Sequence, residues 1–244
     1  MHAHDPGRPT LLCLPHAGGS AAWYASWRPP LRDCAEVVPV ELPGRGTRRG
    51  DSLGQSVPEL LDAVRPTVHG HTDRPYVLYG HSLGALLAFE LAHELAAAGR
   101  PPTLLVVSGR NGPSRASELP PVHHLPDAEF LRAIADFAGT PDEVLEDPSL
   151  MRLFLPQLRA DMRAAETYEY RHRAPLDVPL LVLEGRDDPL VSADGVRAWR
   201  VETTAACDVV WYAGGHFFHQ RREFAAGALR PRLQPMVVSR RAAG

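Results

Sequence analysis

Ser82 lies in Gly80-His81-Ser82-Leu83-Gly84. The pattern G-x-S-x-G marks a nucleophile when a strand enters it and a helix leaves it. The apolar run Tyr76–Tyr79 enters and the almost wholly apolar stretch Leu83–Ala98 leaves. So sharp a turn leaves little room for neighbouring side chains, and Gly80 and Gly84, two positions to either side, supply it. The turn pushes Ser82 out at the carboxyl edge of a sheet, at a helix N-terminus whose unpaired N–H groups favour an anion.

A serine hydroxyl needs a base, and the base needs an acid to orient it. In this context the chain order is serine, acid, histidine. Gly185-Arg186-Asp187-Asp188-Pro189 follows the apolar run Leu180–Glu184, and Gly214-Gly215-His216-Phe217-Phe218 follows Asp208–Tyr212. His216 is read as general base and Asp188 as its orienting acid. Asp187 is the rival acid, because composition cannot separate adjacent carboxylates. His219 is the rival base, lying beyond the turn on the next helix. An acyl-transfer site also needs two N–H donors for the developing oxyanion. The amide of Leu83 is one. The other is expected from His16-Ala17-Gly18-Gly19-Ser20, with Ala17 as donor; a plain glycine turn is the competing reading of that loop.

Other motifs are weaker. His69/His71 and His123/His124 lack zinc-site spacing and are expected at the surface. Gly44-Arg45-Gly46 lacks the third glycine of a dinucleotide fingerprint, and there is no Walker A sequence. No metal is expected. All 26 basic residues are arginine, which excludes lysine nucleophiles and Schiff bases.

Six short apolar runs must position these loops: Thr10–Leu14, Glu36–Glu41, Tyr76–Tyr79, Thr103–Ser108, Leu180–Glu184 and Asp208–Tyr212. Continuously apolar runs suit strands covered on both faces. Helical stretches between most of them, including Ala21–Arg28, imply an α/β fold with a mostly parallel central sheet flanked by helices. Residues 115–173 break the alternation. Asp127 is a cap for a helix bearing Phe130, Leu131, Ile134 and Phe137. Asp147 and Pro148 open another, with Met151, Phe154, Leu155, Leu158 and Met162 on one stripe. We read a helical lid inserted within a single domain spanning 1–244. Arg132, Arg152, Arg159 and Arg163 on it could meet an acidic partner or form a solvated face.

The composition bounds the function class. The chain has 244 residues, 44% of them apolar, and a net charge of -3. There is no basic excess to neutralise nucleic acid phosphates. No stretch approaches a membrane span, and the polar start holds no signal sequence. Three scattered cysteines suit a reducing compartment, so a cytoplasmic protein is expected.

Together, Pro15-His16-Ala17-Gly18-Gly19-Ser20, Leu42-Pro43-Gly44-Arg45-Gly46-Thr47-Arg48, Gly80–Gly84, Gly185–Pro189 and Gly214–Phe218 resemble type II thioesterases. These are stand-alone α/β-hydrolases that accompany polyketide synthases and non-ribosomal peptide synthetases. The resemblance covers Leu11 to Phe224 in order. It implies an α/β-hydrolase fold and removal of acyl groups from the 4′-phosphopantetheine arm of acyl or peptidyl carrier proteins. Acyl-CoA would be a surrogate substrate. It also implies no cofactor of the enzyme's own and a monomer. A general carboxylesterase or lipase would use the same triad.

Overall fold

The computed structural model describes residues 7–115, 117, 119–135, 148–221 and 223–241, with the side chains of 148–153 and 238–241 left aside. Six strands form one sheet: β1 (Thr10–Leu14), β2 (Glu36–Pro39), β3 (Tyr76–His81), β4 (Leu104–Ser108), β5 (Leu180–Gly185) and β6 (Cys207–Tyr212). Their order is β2-β1-β3-β4-β5-β6, and every neighbouring pair is parallel. β2 stops at Pro39, two residues short of the expected Glu41, although the Val40 amide still donates to the Cys13 carbonyl at 2.9 Å.

The inner strands β1, β3, β4 and β5 are mostly apolar because both faces are buried, whereas the edge strands β2 and β6 are largely half-buried. Leu12, Leu14, Leu78, Leu105 and Val107 face one side, against α2 (Val57–His69) and α3 (Leu83–Ala97). Their neighbours Leu11, Cys13, Val77, Tyr79 and Val106 face the other. There they meet Tyr24 and Trp27 of a 3₁₀ helix (Ala21–Trp27), Leu31 of α1 (Arg28–Leu31) and Leu229 near the carboxyl end. The expected helix from Ala21 is thus wound more tightly before α1. α3 ends at Ala98, with Gly99 beyond it at φ 73°.

Between β4 and β5 the described residues form helices and loops. α4 (Asp127–Ala135) buries Phe130 and Ile134 beside Val122. α5 (Pro148–Glu166) lays Leu155, Leu158 and Met162 against that cluster. Phe137, Asp147 and the side chains of Met151 and Arg152 lie outside the described residues. Arg159 crosses the Phe130 ring at 4.3 Å and donates to the carbonyls of His123 and Leu125 and to the Asp127 carboxylate. It therefore binds α5 to α4. Arg132 donates to the Ala128 carbonyl on its own helix, and Arg163 to the side chain of Gln55. α6 (Ala193–Arg197) follows β5, and α7 (Arg230–Arg241) closes the described chain. No helix among the described residues is long and apolar enough to cross a membrane.

Of the four histidines expected at the surface, only His124 is exposed. His123 is half-buried with Nδ1 2.5 Å from a Glu166 carboxylate oxygen, and His69 lies beside Glu94. His71 is also half-buried.

Candidate active site

Ser82 adopts φ 55° and ψ −112°. It is the single non-glycine residue with positive φ among the described residues. Such a backbone costs on the order of 1–3 kcal/mol and persists only where its surroundings impose it. They do so here. A Cβ on Gly80 would stand 1.9 Å from the Gly84 carbonyl oxygen, and one on Gly84 would stand 2.2 Å from the Leu14 carbonyl oxygen. The Ser82 amide donates to the Ser108 carbonyl at 2.8 Å, fastening the turn to the end of β4.

Two loops at the ends of β5 and β6 reach the same place. The strands are neighbours, with Gly185 paired to Tyr212. Beyond them the Arg186 amide donates to the Tyr212 carbonyl at 2.8 Å and the Asp187 amide to the Gly214 carbonyl at 3.0 Å. This zipper presents the acids on opposite sides. Asp188 is buried, with Oδ2 2.7 Å from His216 Nδ1, and its Oδ1 accepts the Leu190 amide at 2.9 Å. Asp187 is exposed, and its carboxylate accepts the Gly214 amide at 3.3 Å. An imidazole that donates Nδ1–H to Asp188 would present the lone pair of Nε2. His216 and Ser82 line one cavity.

His219 lies on a 3₁₀ turn, Phe218–Gln220, and contacts no carboxylate. Its ring packs 3.9 Å from that of His81, between centroids, and neither nitrogen has a partner among the described residues. His16 joins the group edge-on to His81 at 5.9 Å. Burial holds His81 and His219 well below the ordinary histidine value and lowers His16 to about 3. These three rings stay neutral at pH 7 and form an uncharged wall behind His216.

The loop after β1 supplies Ala17 to the cavity. Its amide has no acceptor among the described residues, and Leu83, as the first residue of α3, has no intrahelical acceptor for its own. The loop is pinned by two residues that the motif reading left unassigned. Asp161 of α5 accepts the Gly18 amide at 2.7 Å and is bridged to Arg45 at 2.6 and 2.8 Å. The signal was present in part. Asp161 interrupts the apolar stripe between Leu158 and Met162, where an acid has no solvent to face.

The cavity measures about 1080 Å³, above the usual range for small-ligand sites. Leu158 and Met162 form part of its wall. Trp23, Leu119 and Phe154 line it while remaining 39–44% exposed, beside exposed Arg49 and Arg115. The Arg110 guanidinium is set in the wall with a 3.4 Å contact to the Ala165 carbonyl, and burial brings its pKa down to about 10.

Comparison with known proteins shows the family. The thioesterase domain family matches residues 9–227, and the chain belongs to that family. Thioesterase PikA5 of Streptomyces venezuelae is 41% identical over 210 residues, covering 85% of this chain and 74% of PikA5. Linear gramicidin dehydrogenase LgrE of Brevibacillus parabrevis is 35% identical over 243 residues, 96% of this chain and 91% of LgrE. The solved type II thioesterase BorB, from the borrelidin biosynthetic cluster, superposes with a TM-score of 0.83 at 36% identity. That match covers 95% of this chain and 94% of BorB. The fold is that of the α/β-hydrolase thioesterases.

Proposed function

We propose that this thioesterase hydrolyses acyl groups from the phosphopantetheine arm of carrier proteins through an acyl-Ser82 intermediate, as an editing enzyme of polyketide or non-ribosomal peptide assembly. The carrying observation is the buried Asp188–His216 pair sharing one cavity with a serine on a strained turn. In this reading Ser82 Oγ attacks the thioester carbonyl as His216 Nε2 takes its proton. Asp188 holds the imidazole in the productive tautomer and stabilises the imidazolium. The Leu83 and Ala17 amides receive the oxyanion. The thiol departs readily, since its pKa of about 8.5 makes it a good leaving group. Water activated by His216 then releases the acid. α4 and α5 act as a lid above the cavity.

The carrier protein is the proposed partner, and the enzyme is proposed to act as a monomer in the cytoplasm without a cofactor of its own. A large cavity with exposed Trp23, Leu119 and Phe154 in its lining suits an acyl arm delivered from outside. The test compares acid release from a short acyl group on a phosphopantetheinyl carrier protein with cleavage of the matching p-nitrophenyl ester. Fast serine-dependent release from the carrier, well above the ester rate, is expected. Ester cleavage with an inert carrier would make the protein a general esterase.

A further inference from the structure

We propose that Asp161 and Arg45 are positioning residues for the oxyanion hole, so that the hole is complete only while α5 is docked on the loop after β1. The proposal rests on the assignment of Ala17 as an oxyanion donor.

α5 grips Gly18 from both sides of its backbone. Asp161 Oδ2 accepts the Gly18 amide at 2.7 Å, and one helical turn earlier Gln157 Nε2 donates to the Gly18 carbonyl at 3.1 Å. Leu158 lies between them and packs so tightly that a Cβ on Gly18 would stand 2.9 Å from its Cδ1. Gly18 itself has φ 75°, which a larger residue would resist. Gly18 directly follows Ala17, so fixing both of its polar atoms orients the peptide next to the proposed donor. Oxyanion donors act because they are aimed before charge develops.

Arg45 makes a carboxylate acceptable there. A lone anion beside a developing oxyanion would oppose catalysis. Arg45 Nη1 and Nη2 bond both oxygens of Asp161, at 2.6 and 2.8 Å, and Nη1 also donates to the Gly19 carbonyl at 3.0 Å. The pair is sealed, with side chains 3% and 0% exposed. A buried ion pair is seldom retained for stability, since an apolar substitute often serves as well. Here the pair joins three segments distant in sequence, and its bonds end on the backbone of the catalytic loop. Withdrawal of α5 would remove the Gly18 acceptor and leave Arg45 unpaired.

The test measures Asp161→Asn and Gln157→Ala with a p-nitrophenyl ester and an acyl-N-acetylcysteamine thioester. Active sites are counted by a serine-directed phosphonate, and affinity for an alkylboronic acid, a mimic of the tetrahedral state, is measured alongside. Asp161→Asn should lower kcat per titrated site about 100-fold, the scale of a lost oxyanion donor, with KM within about threefold. Boronate affinity should fall in parallel with kcat. Gln157→Ala should lower both by about fivefold. A purely structural role would reduce the number of titratable sites and leave kcat per site and boronate affinity in place; that result overturns the proposal. If Asp161→Asn does not fold, Gln157→Ala decides alone by the same two readouts. Because either ester serves as substrate, a protein that spares thioesters still reports on Asp161. Ester cleavage that survives Ser82→Ala would instead overturn the serine assignment on which the proposal stands.

Discussion

The carboxyl edge of the sheet and the helical segment above it face one cavity, but they are organised by different physics. At the sheet edge, loops are fixed by ladder register and by contacts that admit only glycine, such as the 1.9 Å approach of a Gly80 Cβ to the Gly84 carbonyl. The helical segment rests on an apolar cluster around Phe130 and on Arg159. It reaches the sheet edge through polar bonds and the packing of Leu158 at Gly18, and it buries Ala164 in the main core. The edge holds the Ser82 turn and the Asp188–His216 pair.

The sharpest break in this comparison is at the edge. Ser82→Ala should lower turnover of an acyl-carrier substrate by roughly 10⁴- to 10⁶-fold. Rates are measured at saturating substrate, and near-normal turnover would remove Ser82 from the mechanism. Asp188→Asn should cost about 10⁴ in kcat, because the amide favours the wrong imidazole tautomer. Asp187→Asn, one residue away and exposed, should stay within about threefold. Equal losses at both positions would contradict the 2.7 Å pair.

In the helical segment the effect should appear as stability. Phe130→Ala opens a cavity in a fully buried position and should cost about 3–5 kcal/mol in urea unfolding. Phe154→Ala, at the open mouth, should cost under about 0.5 kcal/mol. Similar costs would mean that α5 packs differently in solution.

The smallest effect concerns the histidine wall. His16, His81 and His219 have lowered pKa values in the fold, while the unfolded chain protonates them near the ordinary 6.5. Between that value and the folded one the unfolded state binds more protons, so stability is full above about pH 6.5 and falls as pH drops toward 3. Each histidine contributes about 1.4 kcal/mol per pH unit in that window. His219→Phe should remove one such contribution and leave pH 7 stability equal or higher, since both ring nitrogens lack partners among the described residues. Urea midpoints at pH 5 and 7.5 measure both, and an unchanged slope would show that His219 is solvated.

Much of the sheet edge was legible in the residues. Strands buried on both faces read as apolar runs, and Ser82 and His216 sit in short motifs whose glycines record how closely backbone passes backbone. The sequence favours Asp188 over Asp187, but adjacent carboxylates are chemically identical and the contact with His216 exists only in the fold. The backbone bonds between the loops after β5 and β6 separate them, turning one outward and one toward His216. His219 also changed character. Beyond the motif in sequence, it lies against His81 in space and is kept neutral by burial. α5 showed its apolar stripe, but its docking rests on Asp161 and Arg45, 116 residues apart.

The sequence by itself determined the alternation of strands and helices, the strained serine turn and the order of serine, acid and base. Each is written in neighbouring residues, where local sterics and periodicity act. The tertiary structure alone decided which acid meets the base, which histidines lose their charge and which face of α5 grips the Gly18 backbone. Those outcomes depend on desolvation and on hydrogen bonds between distant segments, which exist only once the chain has closed around them.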